Sequence, residues 1–344
     1  MNNSLLQCPT RIEWIDNLRV LATVSVIALH ISGEGAYNLN STTFFKWNIA
    51  NIFESLRFCV PAFIMISGSL MLDKTYNIKA YVTSKFTKIV IPFLIFSLLY
   101  IIYTYGFKKL YHSFNANEFI NFTVQKLIYG SFYHLWFVYM LVGLYAIAPI
   151  LNYVIKKLIK KQVEYVLLIW LLYNVLDVYF TFTPVGGISF STFIIFPGYF
   201  IMGYYFTVYP LKPEVLKWLL FIAGSLITIL GTAFYAYKYS ILTEAFYSYK
   251  SLNVILQSIG VFSLMQNSQI SGSLKKYLRN LISKHSYIIY LIHALVIIFM
   301  MKANIVWDFI HPLPGIVACI CICLMVSLLI SIVLKRLPLI GNYL

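Results

Sequence analysis

The chain has 344 residues, of which 60% are hydrophobic and only 11% charged, with a formal net charge of +15. Soluble domains carry about 25% charged residues, so a water-soluble globular protein is excluded. The positive charge sits in short segments between apolar runs, which points to membrane topology and away from nucleic acid.

The apolar pattern predicts an all-α, polytopic membrane protein of about ten transmembrane helices. A single integral-membrane domain over 1–344 is expected. The spans are expected near 15–33, 53–72, 89–107, 133–154, 164–182, 190–208, 217–237, 252–267, 286–303 and 315–334. The N-terminus lacks a basic n-region and a small-residue cleavage site, so the first run is expected to remain as a helix. With both termini cytoplasmic, most of the 26 lysines and arginines fall on the inner side. Examples are Arg11 and Arg19, Lys74 and Lys79, Lys156 to Lys161, Lys275 to Lys284, and Lys335 with Arg336. Basic residues favour that side.

The first span, in WIDNLRVLATVSVIALHISGE, carries Arg19 and His30 eleven residues apart. That spacing returns to nearly the same helix face, about 16 Å along the axis. An arginine can hold phosphate and an imidazole can exchange a proton, so a ligand with an anionic head and a long apolar arm can bridge them. The plainer readings are a snorkelling flank paired with Asp16, and a structural histidine bond between helices. Glu34, one turn beyond His30, is placed to orient the imidazole or to be solvated.

In the second span, Arg57 lies one turn from Glu54, as a local ion pair or as a polar wall of a cavity open to the outside. Pro61 and Ser67-Gly68-Ser69 are expected to break or bend this helix, as happens where a helix lines a cavity. Lys85 and Lys88 share a face at the expected N-terminal end of the third span. Cations there oppose the helix dipole unless an anion is bound. His134 and Trp136 open the fourth span, where an aromatic belt is the plain alternative. Asp177, near the end of the fifth, is a buried-acid candidate. His285 lies at the edge of the ninth span and His293 about two turns inside it. Ionisable groups in a bilayer are costly and are functional candidates by default. His112 and His311 fall in loops and receive no role.

Cys319, Cys321 and Cys323 spread around one helix and form no metal cage. With Cys8 and Cys59 they suggest neither a disulfide framework nor a metal site. The Gly186-Gly187 pair reads as a turn. The motifs of soluble hydrolases, nucleotide-binding folds and zinc proteases do not occur.

WIDNLR with a histidine eleven residues after its arginine resembles the acyltransferase-3 family of integral-membrane acyltransferases. The match extends through R-x-x-VP-x-F-x-MISG (Arg57 to Gly68), YHLWF (133–137) and LIS-K-HS…IY…HALVI (281–297), in the family's order over nearly the whole chain. The resemblance implies ten spans and a cytoplasmic acyl-CoA donor, with acetyl-CoA as co-substrate and no permanently bound cofactor. It implies transfer to a hydroxyl of a cell-surface polysaccharide or its lipid-linked precursor, in the bacterial inner membrane. The family's essential histidine falls on His30 and its arginine on Arg19. The basic pair before the third span is commonly R-x-x-R; here Lys85 and Lys88 keep the charge without bidentate phosphate geometry. The chain holds no stretch like the hydrolase-like domain fused to some longer members.

The expected reaction is O-acylation, with His30 and Arg19 catalytic and Arg19, Lys85 and Lys88 on the acyl-CoA phosphates. His30 serves as general base or as transient acyl carrier, and the sequence leaves both open. Glu34, Arg57, His134, Trp136 and His293 belong to the acceptor side or to the structure. The expected partners are acyl-CoA, the glycan acceptor and membrane lipid. A flippase or transporter is the alternative; it calls for matched broken helices near the midplane, which the scattered Pro and Gly residues do not suggest. An inactive relative would not need Arg19 and His30.

Overall fold

The computed structural model describes residues 12–39, 43–75, 77–106, 114–180, 190–337 and 341. Cys8, Arg11, His112 and the Gly186-Gly187 pair lie outside them. The described residues form helices without strands, an all-α polytopic membrane protein. Seven helical segments are long and apolar enough to cross a membrane: Glu13–Ala36, Phe44–Met71, Ile78–Tyr105, Trp136–Ile155, Glu214–Tyr239, Ser273–Lys302 and Pro312–Arg336. The remaining three expected segments are helical too, over Lys160–Phe180, Phe190–Val208 and Leu252–Met265. The last has 14 residues, about 21 Å of helix against a hydrocarbon core of about 30 Å.

In chain order the helices are α1 (Glu13–Ala36), α2 (Phe44–Glu54), α3 (Cys59–Met71), α4 (Ile78–Lys85), α5 (Ile91–Tyr105), α6 (Ala116–Tyr129), α7 (Trp136–Ile155), α8 (Lys160–Phe180), α9 (Phe190–Val208), α10 (Glu214–Tyr239), α11 (Leu252–Met265), α12 (Ser273–Lys302) and α13 (Pro312–Arg336). Helix α1 is the hub, packing on α2, α3, α11, α12 and α13. Its apolar window is 72% buried, against 22% for the peripheral α10. That decides why α1 tolerates polar residues: its sides face protein, where bonding partners exist, and not lipid.

The opening motif fixes α1 to its neighbours. Asn17 Nδ2 donates to Ser268 Oγ (2.8 Å), and Arg279 Nη1 donates to Asn17 Oδ1 (3.3 Å). Ser283 of α12 donates to Asp16. Arg279 and Lys276 also pair with Glu13 at 3.4 and 3.8 Å. The basic stretch 275–284, expected as a loop, therefore belongs to the first turns of α12, which begins 13 residues earlier than the expected span at 286.

The second expected span is two helices. The break falls at 55–58, ahead of Pro61 and of Ser67-Gly68-Ser69, all of which lie inside α3. Pro61 is in the first turn, where its missing N–H costs no helical bond. Gly68 instead allows a close approach: a Cβ there would collide with the Phe200 carbonyl of α9. Gly203 of α9 meets the Met65 backbone in the same way, the small-residue packing of membrane helices.

A broken helix in a membrane must satisfy its freed backbone groups. Gln257 of α11 does so. Its Nε2 donates to the Ser55 carbonyl (2.9 Å), and its Oε1 accepts from the Phe58 N–H (3.2 Å). Gln257→Met keeps the volume and removes both bonds. It is expected to cost about 1–3 kcal/mol, read as a lowered melting midpoint of the detergent-solubilised protein; an unchanged midpoint would contradict this role for Gln257.

The third span begins earlier than expected, at Ile78, and runs through a π-helical turn at Phe86–Val90 into α5. Lys85 and Lys88 thus lie inside a continuous helix. They are not beside the free N–H groups of a helix terminus, so any anion they hold is held by side chains. The Tyr287 hydroxyl donates to the Ile89 carbonyl (2.8 Å) within the turn. Single π-turns of this kind occur often at functional sites.

Candidate active site

Two chambers lie along α1. The first, of about 390 Å³, is lined by Arg19, Lys85 and Lys88 together with Ser67, Ser84, Tyr145, Ser286 and Tyr287 and apolar residues of α3, α7, α12 and the π-helical turn. The three cations predicted for the phosphates are therefore brought together. Arg19 Nη1 donates to Asp16 Oδ1 (3.3 Å) and to Ser283 Oγ (3.2 Å), so the plain partner expected for it is present and aims the guanidinium. Lys85 Nζ lies 4.8 Å from the ring centre of Tyr145, and Tyr145 shares a hydrogen bond with Ser67 (2.9 Å).

The second chamber, of about 440 Å³, is lined by His30, Glu34, Tyr37, Glu54, Arg57, Tyr133, His134, Trp136 and Tyr249 among others. His30 and Arg19 thus open into separate chambers from one helix, as the eleven-residue register requires. Phe137 and Tyr290 line both chambers. Their ring centroids are 5.4 Å apart, edge to face, and the Tyr290 hydroxyl donates to the His134 carbonyl.

Around His30 the structure assembles three imidazoles. The His30 ring stacks on that of His293 at 5.1 Å, and His134 lies 6.3 Å from His30 and 5.0 Å from His293. His293 Nδ1–H donates to the Tyr290 carbonyl (2.6 Å). That bond fixes the tautomer and leaves the lone pair on Nε2, which is buried without a hydrogen-bond partner. His134 is 1% exposed, so the aromatic-belt alternative does not describe it. It does suit Trp136, whose indole is exposed and packs near Phe196 and Tyr249. No group of His, Cys, Asp and Glu among the described residues has the geometry of a metal site.

The buried carboxylate of the His30 chamber is Glu54. It pairs with Arg57 and accepts from Ser32 Oγ (3.3 Å). Arg57 Nη2 also donates to the Tyr37 hydroxyl (2.7 Å), and its guanidinium lies 4.7 Å from the ring centre of Tyr247. The ion pair sits at the break between α2 and α3 and forms the polar wall expected for Arg57. Glu34 lines the same chamber but is exposed. Sequence reasoning singled out Glu34 and gave Glu54 no site role. The signal for Glu54 was present as the i, i+3 pair in ESLR. Phe137, Tyr133, Tyr249 and Tyr290 were not singled out either, because apolar and aromatic residues are abundant in every span.

The remaining candidates are structural. His285 Nδ1 is 2.7 Å from Ser331 Oγ, tying α12 to α13. Asp177 pairs with Lys250. His311 precedes α13 and packs its ring 6.0 Å from Phe45. Cys319 and Cys323 are buried and Cys321 is exposed.

A cationic chamber and a histidine chamber, separate but sharing Phe137 and Tyr290 as lining, suit transfer from a long anionic donor. A family model described as an acyltransferase domain matches residues 12–332. No curated protein and no solved structure matched the chain. The match runs from the start of α1 into the C-terminal half of α13 and takes in both chambers: the chain belongs to the acyltransferase-3 family and is a multi-pass membrane acyltransferase.

Proposed function

We propose that the protein is an acetyl-CoA-dependent O-acetyltransferase of the bacterial inner membrane, with both termini cytoplasmic. Its acceptor is a hydroxyl of a cell-surface polysaccharide or of its lipid-linked precursor. Within the family its motifs resemble those of the enterobacterial common antigen O-acetyltransferase. The observation that carries the reading is the alignment of two chambers along one helix, cations in one and His30 in the other.

Acyl-CoA enters from the cytoplasm, and its phosphates meet Arg19, Lys85 and Lys88. The extended pantetheine arm follows α1 and brings the thioester to His30, a helical rise of about 16 Å away. His30 takes the proton of the acceptor hydroxyl as it attacks the thioester carbonyl. The C–S bond then breaks, and the proton goes to the leaving thiolate. The covalent alternative passes the acyl group through the imidazole first. The lone pair on His293 Nε2 gives His30 a neutral neighbour, so the two rings stack without charge repulsion.

Lys85→Ala and Lys88→Ala are each expected to raise KM for acetyl-CoA by about tenfold, the size of one charge-assisted phosphate contact, with kcat little changed. Initial rates against donor concentration check this, and raising salt should weaken the wild type in the same direction. A fall in kcat at constant KM would remove the lysines from the donor site. The flippase alternative is tested by labelled acetyl-CoA with the purified protein, because a flippase would neither bind nor turn it over.

A further inference from the structure

The two chambers meet at a septum of two aromatic rings. Phe137 of α7 and Tyr290 of α12 are shared by both linings and touch edge to face, with centroids 5.4 Å apart. Apolar side chains line both chambers, Phe63 and Leu141 with Arg19, Val26 and Leu29 with His30, and the His134 and His293 rings lie 5.5 and 5.7 Å from that of Tyr290. The Tyr290 hydroxyl is already bonded to the His134 carbonyl. Among the described residues lining the His30 chamber, Arg57 is the one lysine or arginine, and it is paired with Glu54.

We infer that Phe137 and Tyr290 determine acyl specificity, admitting a small uncharged acyl group to His30 and rejecting one that ends in a carboxylate. The inference rests on the acyl-CoA reading above and deepens it. The acyl group is the leading end of the donor, so it must part the two rings before the pantetheine arm follows. An acetyl group is apolar and narrow and crosses with little penalty. A succinyl group carries a carboxylate past the rings into the His30 chamber, whose described lining offers no unpaired lysine or arginine, and desolvating a charge without a partner is costly. The negative faces of aromatic rings add to that penalty.

The test uses membranes of producing cells, supplied separately with labelled acetyl-CoA and succinyl-CoA, reading label in glycan and release of CoA. The wild type is expected to favour acetyl by about 100-fold or more, and Phe137→Ala to reduce the preference to about tenfold or less. Each variant is judged by its own ratio, so partial loss of folded protein cancels. Phe137→Leu, which keeps an apolar plug, should stay near the wild-type ratio. Equal use of both donors by the wild type would overturn the septum as a filter while leaving the acyltransferase reading intact, and so would an unchanged ratio in Phe137→Ala. If neither donor yields label or CoA, the acyl-CoA reading itself falls, and the filter with it.

Discussion

His30→Ala is expected to lower acyl transfer by about 10²- to 10⁴-fold, the range for removing a positioned general base. It should do so without lowering the amount of protein in the membrane. His30 is half-buried at a chamber wall, and its neighbours are other rings, so alanine enlarges the chamber without leaving a charge unpaired. Donor binding should survive, because Arg19, Lys85 and Lys88 line the other chamber. Retained CoA binding with lost transfer therefore separates a chemical role from a structural one. The assay is labelled acetyl transfer to glycan beside equilibrium CoA binding, on the same preparation. Transfer within about threefold of the wild type would remove His30 from the chemistry. His293→Ala should have a smaller effect on transfer, since its Nδ1 is engaged with backbone and it supports the His30 ring by stacking.

Arg57→Ala is expected to destabilise the protein by about 3–5 kcal/mol, the cost of stranding one partner of a buried ion pair. Glu54 is 3% exposed, and without Arg57 its carboxylate is left with neutral hydroxyl partners, Ser32 and Tyr37. The loss extends to Tyr37 and Tyr247, which hold the guanidinium from the other side. A lowered melting midpoint in detergent is the readout. Arg57→Met combined with Glu54→Gln removes both charges and should recover much of the stability, because a neutral pair of similar volume avoids the unpaired charge. If the single variant melts like the wild type, the pair is solvated in the membrane and does not anchor the break between α2 and α3.

Much of this arrangement was readable in the linear sequence. A fixed helical period places Arg19 and His30 on one stripe, and no other fold of an apolar 24-residue segment suits a bilayer. The ion pair in ESLR was visible as an i, i+3 spacing, although the chain leaves the helix between the two residues. What could not be read is anything that depends on partners distant in sequence. Gln257 repairs the backbone at Ser55 and Phe58 from about 200 residues away; a lone glutamine in an apolar run carries no sign of that. The break at 55–58 has no proline, so it was misplaced toward Pro61 and Ser67-Gly68-Ser69. Gly68 looked like a helix breaker and proves, together with Gly203, to be a contact point between α3 and α9. The gathering of His134 and His293 about His30 comes from two helices, α1 and α12, and the turn before α7. Phe137 and Tyr290 were invisible as a septum, because in a chain with 27 Phe and 28 Tyr no ring stands out by type.

A donor bound on the Arg19 side is expected to deliver its acyl group to an acceptor on the His30 side. Sealed vesicles of defined orientation test it directly, with labelled acetyl-CoA confined to the side bearing Lys85 and Lys88 and glycan acceptor present in both compartments. The account predicts label on glycan in the opposite compartment, and none when the donor is supplied there instead. Label on glycan in the donor's own compartment, or equal transfer from either side, would contradict it.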